Sequence, residues 1–361
     1  FGVQSAIQDA LSKVLRDRPS DPVAALAEIL SPGSTAPVVL VCDVKAELGE
    51  GPVWDARHNR LLFLDILAAE IFTYSPTTGA VETHSLSKHT PIVSTIVPVQ
   101  GAEWDDAVII GTQSGIALYD IEDGTFEEHP ASGRLHALPH TRFNDGRCDP
   151  AGRLWIGSIA REGPGGADLV SGGSALWVLD GWESSPMKVL ENVTVSNGIA
   201  WSHDGKTMWY TDSPTFGIDA FDFDASTSDP TKMATNRRRA IDVCSSFPPV
   251  PDGCALDVQG KLWVACFGAG EVRRYDPVSG ELLCQFALPD EAGKESTACA
   301  FGGEELDELY VTTAHEFWDA EKRAQFPLAG SLFKVTKEAI EAACGPGVRG
   351  EPVHYFREIK R

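Results

Sequence analysis

The sequence predicts an all-β protein, a six-bladed β-propeller that follows a short helical extension. Its 361 residues are 43% hydrophobic, which is enough to build a large core. A polar turn followed by a short apolar strand recurs six times along the chain. The central residues of these strands are 46, 46, 54, 54 and 47 positions apart; they are Phe63, Ile109, Trp155, Trp209, Trp263 and Tyr310. A β-sandwich, the strongest rival architecture, does not repeat six times, so this period favours propeller blades.

Residues 1–35 have a helical rather than a strand pattern. One apolar stripe consists of Val3, Ile7, Leu11, Val14 and Leu15. The pair Asp21-Pro22 can cap and open a second helix, and Pro32-Gly33 would end it. Residues 18–30 resemble the helical hairpin of Dpy-30-type dimerisation motifs, and this resemblance implies a homodimer formed through residues 1–35. Packing of both helices on the flank of the propeller is the alternative.

The propeller itself is predicted to span residues 36–361. Each repeat has room for about four short strands, which is the size of one blade. Turns containing Gly or Asn come before most of the central strands, as in Pro150-Ala-Gly and Val258-Gln-Gly, and are typical of hairpins. We expect the first strand, at residues 37–42, to pair with the last, at residues 353–359, and so to close the ring.

Charge and cysteine usage exclude several classes of partner. Thirty Lys and Arg residues against 52 Asp and Glu residues give a net charge of −22, which repels nucleic acid and anionic lipid. The apolar runs are far shorter than the roughly 20 residues that a membrane-spanning helix needs. The eight cysteines form no CxxC pair and most lie in apolar strands, as expected for small buried side chains in a reducing compartment. We therefore expect a cytoplasmic protein, although removal of an upstream targeting segment stays open.

Four repeats carry an oxygen-bearing side chain at nearly the same distance before the central residue. Glu50, Asn144, Asn197 and Asp252 lie 13, 11, 12 and 11 positions before it, and a glycine follows each of them closely. Equivalent positions of different blades converge at one mouth of a propeller, so these groups should meet there. Two carboxylates in a confined channel would repel each other without a cation between them. Asn-Gly and Asp-Gly are also ordinary turn dipeptides, but Glu is a poor turn former and the shared register favours a site.

This set of ligands suits a cation that prefers oxygen. Carboxylate and amide oxygens are the ligands of Ca²⁺, Mg²⁺ or Mn²⁺ rather than of a structural zinc site. We expect one divalent cation, with Ca²⁺ favoured and Mg²⁺, Mn²⁺ or Zn²⁺ as alternatives.

The motifs that contain these residues resemble a known family. They are Leu48-Gly-Glu50-Gly-Pro-Val-Trp54, Arg142-Phe-Asn144-Asp-Gly146, Ser196-Asn197-Gly198 and Pro251-Asp252-Gly253. They are similar to those of the regucalcin (senescence marker protein 30)/gluconolactonase family, whose members are six-bladed propellers that hydrolyse sugar lactones with one divalent metal ion. The resemblance implies that the metal ligands are Glu50, Asn197 and Asp252. It further implies that the substrate contacts are Arg142, Asn144 and Glu162.

A lactonase needs a polarised carbonyl group and an activated water molecule. Asp252 is the first candidate for the general base and Glu162 is the second. The guanidinium group of Arg142 can orient substrate oxygens, unless it forms only a surface salt bridge. Asn144 contacts either the substrate or, through water, the metal, and Asp145 is expected to hold its own turn. Two alternatives to a sugar lactonase remain: a phosphotriesterase-like esterase on the same metal site, and a non-catalytic calcium-binding scaffold.

Overall fold

The computed structural model describes residues 37–101, 104–133, 135, 140–162, 168–357 and 359. These residues form six four-stranded sheets and one two-stranded hairpin. The first strand, β1 (Val38–Cys42), belongs to the last blade. The predicted six-bladed β-propeller is therefore confirmed. The helical extension predicted for residues 1–35 lies outside the described residues.

All six blades are antiparallel sheets, and the blades follow one another in chain order. Blade 1 consists of β2 (Gly49–Asp55), β3 (Arg60–Asp65), β4 (Glu70–Tyr74) and β5 (Val81–Ser85). Blade 2 consists of β6 (Val93–Pro98), β7 (Ala107–Thr112), β8 (Ile116–Asp120) and β9 (Phe126–Glu128). Blade 3 consists of β10 (Arg142–Cys148), β11 (Leu154–Ile159), β14 (Ser174–Leu179) and β15 (Met187–Val193). The hairpin of β12 (Arg161–Glu162) and β13 (Asp168–Leu169) interrupts blade 3.

The second half of the ring repeats this plan. Blade 4 consists of β16 (Ser196–Trp201), β17 (Thr207–Asp212), β18 (Gly217–Phe223) and β19 (Ala234–Asp242). Blade 5 consists of β20 (Val250–Leu256), β21 (Leu262–Phe267), β22 (Glu271–Tyr275) and β23 (Leu282–Ala287). Blade 6 consists of β24 (Ser296–Gly302), β25 (Glu308–Thr313), β26 (Leu332–Val335) and β1. The connections contain the helices α1 (Pro230–Met233), α2 (Ala320–Gln325) and α3 (Lys337–Cys344). No helix in the described ranges is long and apolar enough to cross a membrane.

The ring closes differently from the sequence-based prediction, which was wrong. Strand β1 pairs with β26, in a register that places Val38 opposite Val335. The described residues of this last segment, 353–357 and 359, do not pair with β1. Instead the backbone N–H of Phe356 donates to the carbonyl of Pro98 at 2.9 Å, and the Phe356 and Ile359 side chains pack into the core around blades 2 and 3. The apolar residues that suggested a last strand are therefore core residues of a tail that crosses other blades.

The core lies between the faces of neighbouring blades. The central residues of the six repeats are all buried; they are Phe63, Ile109, Trp155, Trp209, Trp263 and Tyr310. Aromatic contacts join blades, as where the rings of Trp155 and Trp201 meet edge to face at 5.9 Å. This packing buries large aromatic surfaces, so neighbouring blades stabilise each other. All eight cysteines are free thiols, and four of them, including Cys148 and Cys254, are buried.

A buried aspartate stabilises the turn before the central strand in two blades. Asp149 lies six residues before Trp155, and its Oδ2 accepts a hydrogen bond from the indole Nε1 at 2.9 Å. Asp257 lies six residues before Trp263 and accepts the equivalent bond at 3.0 Å. The repeated turn is thus part of the core and not only a surface loop.

Candidate metal and substrate site

The four polar residues singled out by their spacing lie on innermost strands, which contact one another around the central channel. Each strand has a β-bulge at or beside its polar residue. The bulges lie between Glu50 and Val53, Phe143 and Gly146, Asn197 and Ile199, and Pro251 and Cys254. A bulge bends a strand and changes the direction of its side chains, and bulges are common beside functional sites. The regular spacing of these residues thus reflects a backbone feature repeated in each of these blades.

The glycines that follow the polar residues permit close approach of neighbouring inner strands. A Cβ atom on Gly198 would lie 2.6 Å from the carbonyl oxygen of Asp252, and one on Gly253 would lie 2.5 Å from the Cβ of Ala298. Both distances are too short for a real side chain, so a larger residue would push the strands apart. The Asn-Gly and Asp-Gly pairs are therefore parts of bulged strands rather than turns.

A cavity of about 440 Å³ opens at one end of the channel. The predicted residues that line it are Glu50, Arg142, Asn144, Asn197 and Asp252. This volume is in the range of small-molecule binding sites. The structure therefore brings five of the six predicted site residues to one cavity.

Glu162 is the exception, and the structure corrects its expected position. Its side chain is exposed and does not line the cavity, whereas the preceding residue, Arg161, does. Arg161 and Glu162 are consecutive on β12, which pairs with β13. Successive side chains of a strand point to opposite faces, so only one of the two can face the cavity. Glu162 was assigned by carrying the family resemblance forward from Asn144 without a gap. This assignment falls one residue beyond Arg161, which lines the cavity.

A chain of hydrogen bonds fixes the amide groups at the floor of the cavity. Arg142 Nη1 donates to Asn144 Oδ1 at 2.6 Å, and Asn144 Nδ2 donates to Asn197 Oδ1 at 2.9 Å. Asn197 Nδ2 then donates to Ser213 Oγ at 2.8 Å. Asn197 Oδ1 therefore has a defined orientation and keeps one lone pair for a ligand. Arg142 is buried, so it is not a surface salt-bridge residue.

Two buried carboxylates lie beside these amides. Burial, together with the negative charge of Asp145, raises the pKa of Glu50 to about 8. Burial and the charge of Glu50 raise the pKa of Asp252 well above its usual range. Asp252 Oδ1 is buried and accepts no hydrogen bond from the described residues. Such an atom is costly to bury unless it binds something, and the combination of two carboxylates and an amide oxygen fits a divalent cation.

Protein stripped of metal should become less stable as the pH rises from about 4.5 to about 8. The pKa of Glu50 is raised from 4.5 to about 8 in the folded state, so its contribution to stability is fully present below pH 4.5 and is lost as the pH rises through 8. Thermal unfolding of chelator-treated protein across this range checks the prediction. Glu50→Gln should flatten the pH dependence, and equal slopes in both proteins would contradict it. Added Ca²⁺ should stabilise the wild-type protein at the upper end of the range.

Glu316 is a lining residue that the sequence analysis missed. It lies after β25 in blade 6, and burial raises its pKa, while the positive charges of Arg142 and Arg161 oppose this shift. The residues singled out by their spacing all precede the central strands, and blade 6 has no charged residue at the equivalent positions, 296–298. The only signal in the sequence was a carboxylate shortly after the end of the sixth central strand.

A second group of potential metal ligands lies elsewhere. Oxygen and nitrogen atoms of Asp55, His58 and Asp106 lie within 4.8 Å of one another. However, Asp55 accepts hydrogen bonds from Arg57 and Arg60, and Arg60 also contacts Asp106. Guanidinium groups therefore already neutralise these carboxylates, and the cluster is an ion-pair network.

The fold and site together define a class of six-bladed propellers with an oxygen-rich cavity at the central channel. Residues 48–315 match the protein-family model described as the SMP-30/Gluconolactonase/LRE-like region. Regucalcin of Danio rerio is 34% identical over 323 residues, which cover 90% of this chain and 99% of that protein. The chain therefore belongs to the SMP-30/gluconolactonase/LRE-like family. Membership of this family supports a lactonase-like hydrolase function.

Solved structures agree with this assignment. The structure of a calcium-binding protein, regucalcin, from Agrobacterium tumefaciens matches with a TM-score of 0.74 at 26% identity, over 88% of this chain and 97% of that one. A luciferin-regenerating enzyme matches with a TM-score of 0.74 at 28% identity, over 89% of this chain and 99% of that one. The family model begins at residue 48 and so does not support the Dpy-30-type resemblance. A homodimer through residues 1–35 stays a prediction.

Proposed function

We propose that this protein is a divalent-metal-dependent lactonase that opens a cyclic ester by attack of water. The observation that carries the proposal is the buried, unpartnered Oδ1 of Asp252, which lies in a substrate-sized cavity with Glu50 and Asn197. These three residues would hold the cation. When bound there, it would supply Lewis acidity toward the ester carbonyl and offset the repulsion between the two carboxylates.

The residues of the chain supply orientation and proton transfer. Arg142 uses Nη1 for Asn144 Oδ1 and for the carbonyl of Phe143, which fixes the plane of its guanidinium group. The rest of that group can donate hydrogen bonds to substrate oxygens. Asn144 is a positioning residue, because its amide group hydrogen-bonds to both Arg142 and Asn197 and so orients their side chains.

Asp252 remains the first candidate for accepting the proton of the attacking water. Asp252 lines the cavity, and a carboxylate that holds a cation through one oxygen can accept a proton from water through the other. Glu162 is a weaker candidate because its side chain lies away from the cavity. Glu316, which lines the cavity, is the better second choice.

The test is a pH-indicator assay of lactone hydrolysis after chelation and after return of Ca²⁺, Mg²⁺, Mn²⁺ or Zn²⁺. We expect turnover of lactones, with D-glucono-1,5-lactone as the reference sugar lactone, only when a divalent cation is present. Hydrolysis of phosphotriesters without hydrolysis of lactones would replace the proposal by the esterase alternative. Cation binding by folded protein without hydrolysis of any ester would instead indicate a calcium-binding scaffold.

A further inference from the structure

The cavity has two chemically different sides. Blades 3 and 6 supply the charged side chains Arg142, Arg161 and Glu316. Leu48, Ile159 and Leu169 add apolar surface beside these groups. Most of the hydrocarbon comes from blades 4 and 5 with their flanking segments, which supply a wall of six side chains: Val195, Pro214, Phe216, Phe247, Val250 and Phe267. We call this set the apolar wall. A ligand that fills the cavity must therefore place a large part of its surface against hydrocarbon.

The amide and hydroxyl groups on the floor of the cavity are engaged within the protein. Asn144 Nδ2 donates to the carbonyl of Ser196 at 2.8 Å as well as to Asn197 Oδ1. Ser213 Oγ accepts from Asn197 and donates to the carbonyl of Pro251 at 2.7 Å. Hydroxyl groups on a substrate ring would thus find few free partners beside the apolar wall. Burying a hydroxyl group without a hydrogen bond is unfavourable.

Two phenylalanines of the apolar wall have unusual backbone or solvent environments. Phe216 has a φ of +63°, a conformation that is strained for a bulky side chain. The backbone N–H groups of Val243 and Cys244 donate to its carbonyl at 3.0 and 3.2 Å and so fix this conformation. Phe247 lines the cavity while 66% of its surface remains exposed. Strained residues and exposed aromatic side chains are both typical of binding sites.

We propose that the substrates of this protein are lactones with a hydrocarbon substituent, which packs against the apolar wall while the ring lies over the carboxylates. This inference rests on the proposed lactonase function and specifies its substrate class. It differs from the polyhydroxylated sugar lactone expected from the sequence. Each methylene group buried against the wall should raise kcat/KM about fourfold, so four methylenes should give an increase on the order of 10²-fold.

The experiment compares γ-lactones with methyl, propyl and pentyl side chains against D-glucono-1,5-lactone, using Ca²⁺-loaded protein. We expect kcat/KM to rise with chain length and to exceed the value for the sugar lactone. Phe247→Ala and Phe216→Gly should weaken this dependence; glycine accepts the positive φ, so the second variant should fold. Leu282→Ala, which removes an exposed side chain from the outer strand of blade 5, is the matched control and should not weaken it.

Calorimetric binding of the corresponding γ-lactams, which resist hydrolysis, separates the two proposals. Affinity that rises with chain length would support recognition of the hydrocarbon substituent by the apolar wall even if no lactone were hydrolysed and the lactonase proposal failed. Lactone hydrolysis that prefers the sugar lactone or ignores chain length would overturn the inference and leave the lactonase proposal standing. Lactam binding that ignores chain length, with wild-type and Phe247→Ala protein alike, would also overturn it.

Discussion

Asp252→Asn is expected to lower kcat/KM for lactone hydrolysis by about 10²–10⁴-fold, the range typical of a lost general base. The change keeps the size of the side chain but removes the charge that both cation binding and proton transfer require. Calcium affinity, measured by calorimetry, should fall together with activity because Asp252 is also a proposed ligand. Wild-type turnover or wild-type calcium affinity in this variant would contradict the site assignment.

The stability of the metal-free variant provides an independent readout. Asp252 and Glu50 are buried together, and the charge of Glu50 contributes to the raised pKa of Asp252. An amide at position 252 removes this repulsion, so chelated Asp252→Asn should unfold at a temperature equal to or above that of chelated wild type. Asp224→Asn, the same change at an exposed turn residue, is the control and should alter neither activity nor calcium affinity. A marked fall in the unfolding temperature of metal-free Asp252→Asn would show that its loss of activity reflects damage to the fold.

The convergence of Glu50, Asn144, Asn197 and Asp252 could be predicted because a propeller repeats its geometry. Any residue at a fixed distance before the central strand reaches the same end of the channel in every blade. The spacing varied between 11 and 13 residues, although the bulge in each inner strand adds the same single residue. The hairpin turns contribute to the variation, because Cys148 pairs with Leu154 whereas Trp201 pairs with Met208, one position further along. From the sequence alone, the glycines beside these residues could be assigned to turns as well as to bulged strands.

Two features could not be predicted because they depend on a single element. Glu162 and Arg161 differ by one position on a short strand, and a shift of one residue exchanges the two faces. Glu316 follows the central strand of blade 6, whereas the residues singled out by their spacing all precede the central strands of their blades. Repetition identifies what several blades share, so a residue contributed by one blade alone gives no periodic signal.

The ring closure was predicted wrongly for a related reason. A short apolar segment near the C-terminus has the composition of a strand whether it pairs in a sheet or packs as a tail. Phe356 bonds to Pro98 and fills the core beside blade 2, and the sequence contains nothing that distinguishes this arrangement from pairing with β1. The closing pair of strands is set by long-range packing rather than by local pattern.

Asp149→Ala should destabilise the protein by about 3–5 kcal/mol, the cost of leaving one partner of a buried ion pair uncompensated. Asp149 is fully buried, and its Oδ2 accepts from Arg153 Nε at 2.6 Å as well as from the Trp155 indole. Arg153 is itself only 3% exposed, so water cannot replace the lost carboxylate. Thermal or denaturant unfolding of calcium-loaded protein measures the effect. Asp204→Ala, at an exposed turn of blade 4, should change the unfolding midpoint far less.

A double variant separates the charge from the turn. In Asp149→Ala/Arg153→Met the unpaired guanidinium group is also gone, so the double variant should be more stable than Asp149→Ala alone. The remaining loss then reports the hydrogen bonds to the Trp155 indole and to the backbone N–H groups of Ala151 and Arg153. If the double variant were no more stable than the single one, the buried charge would not be the main cause, and the turn itself would hold the blade.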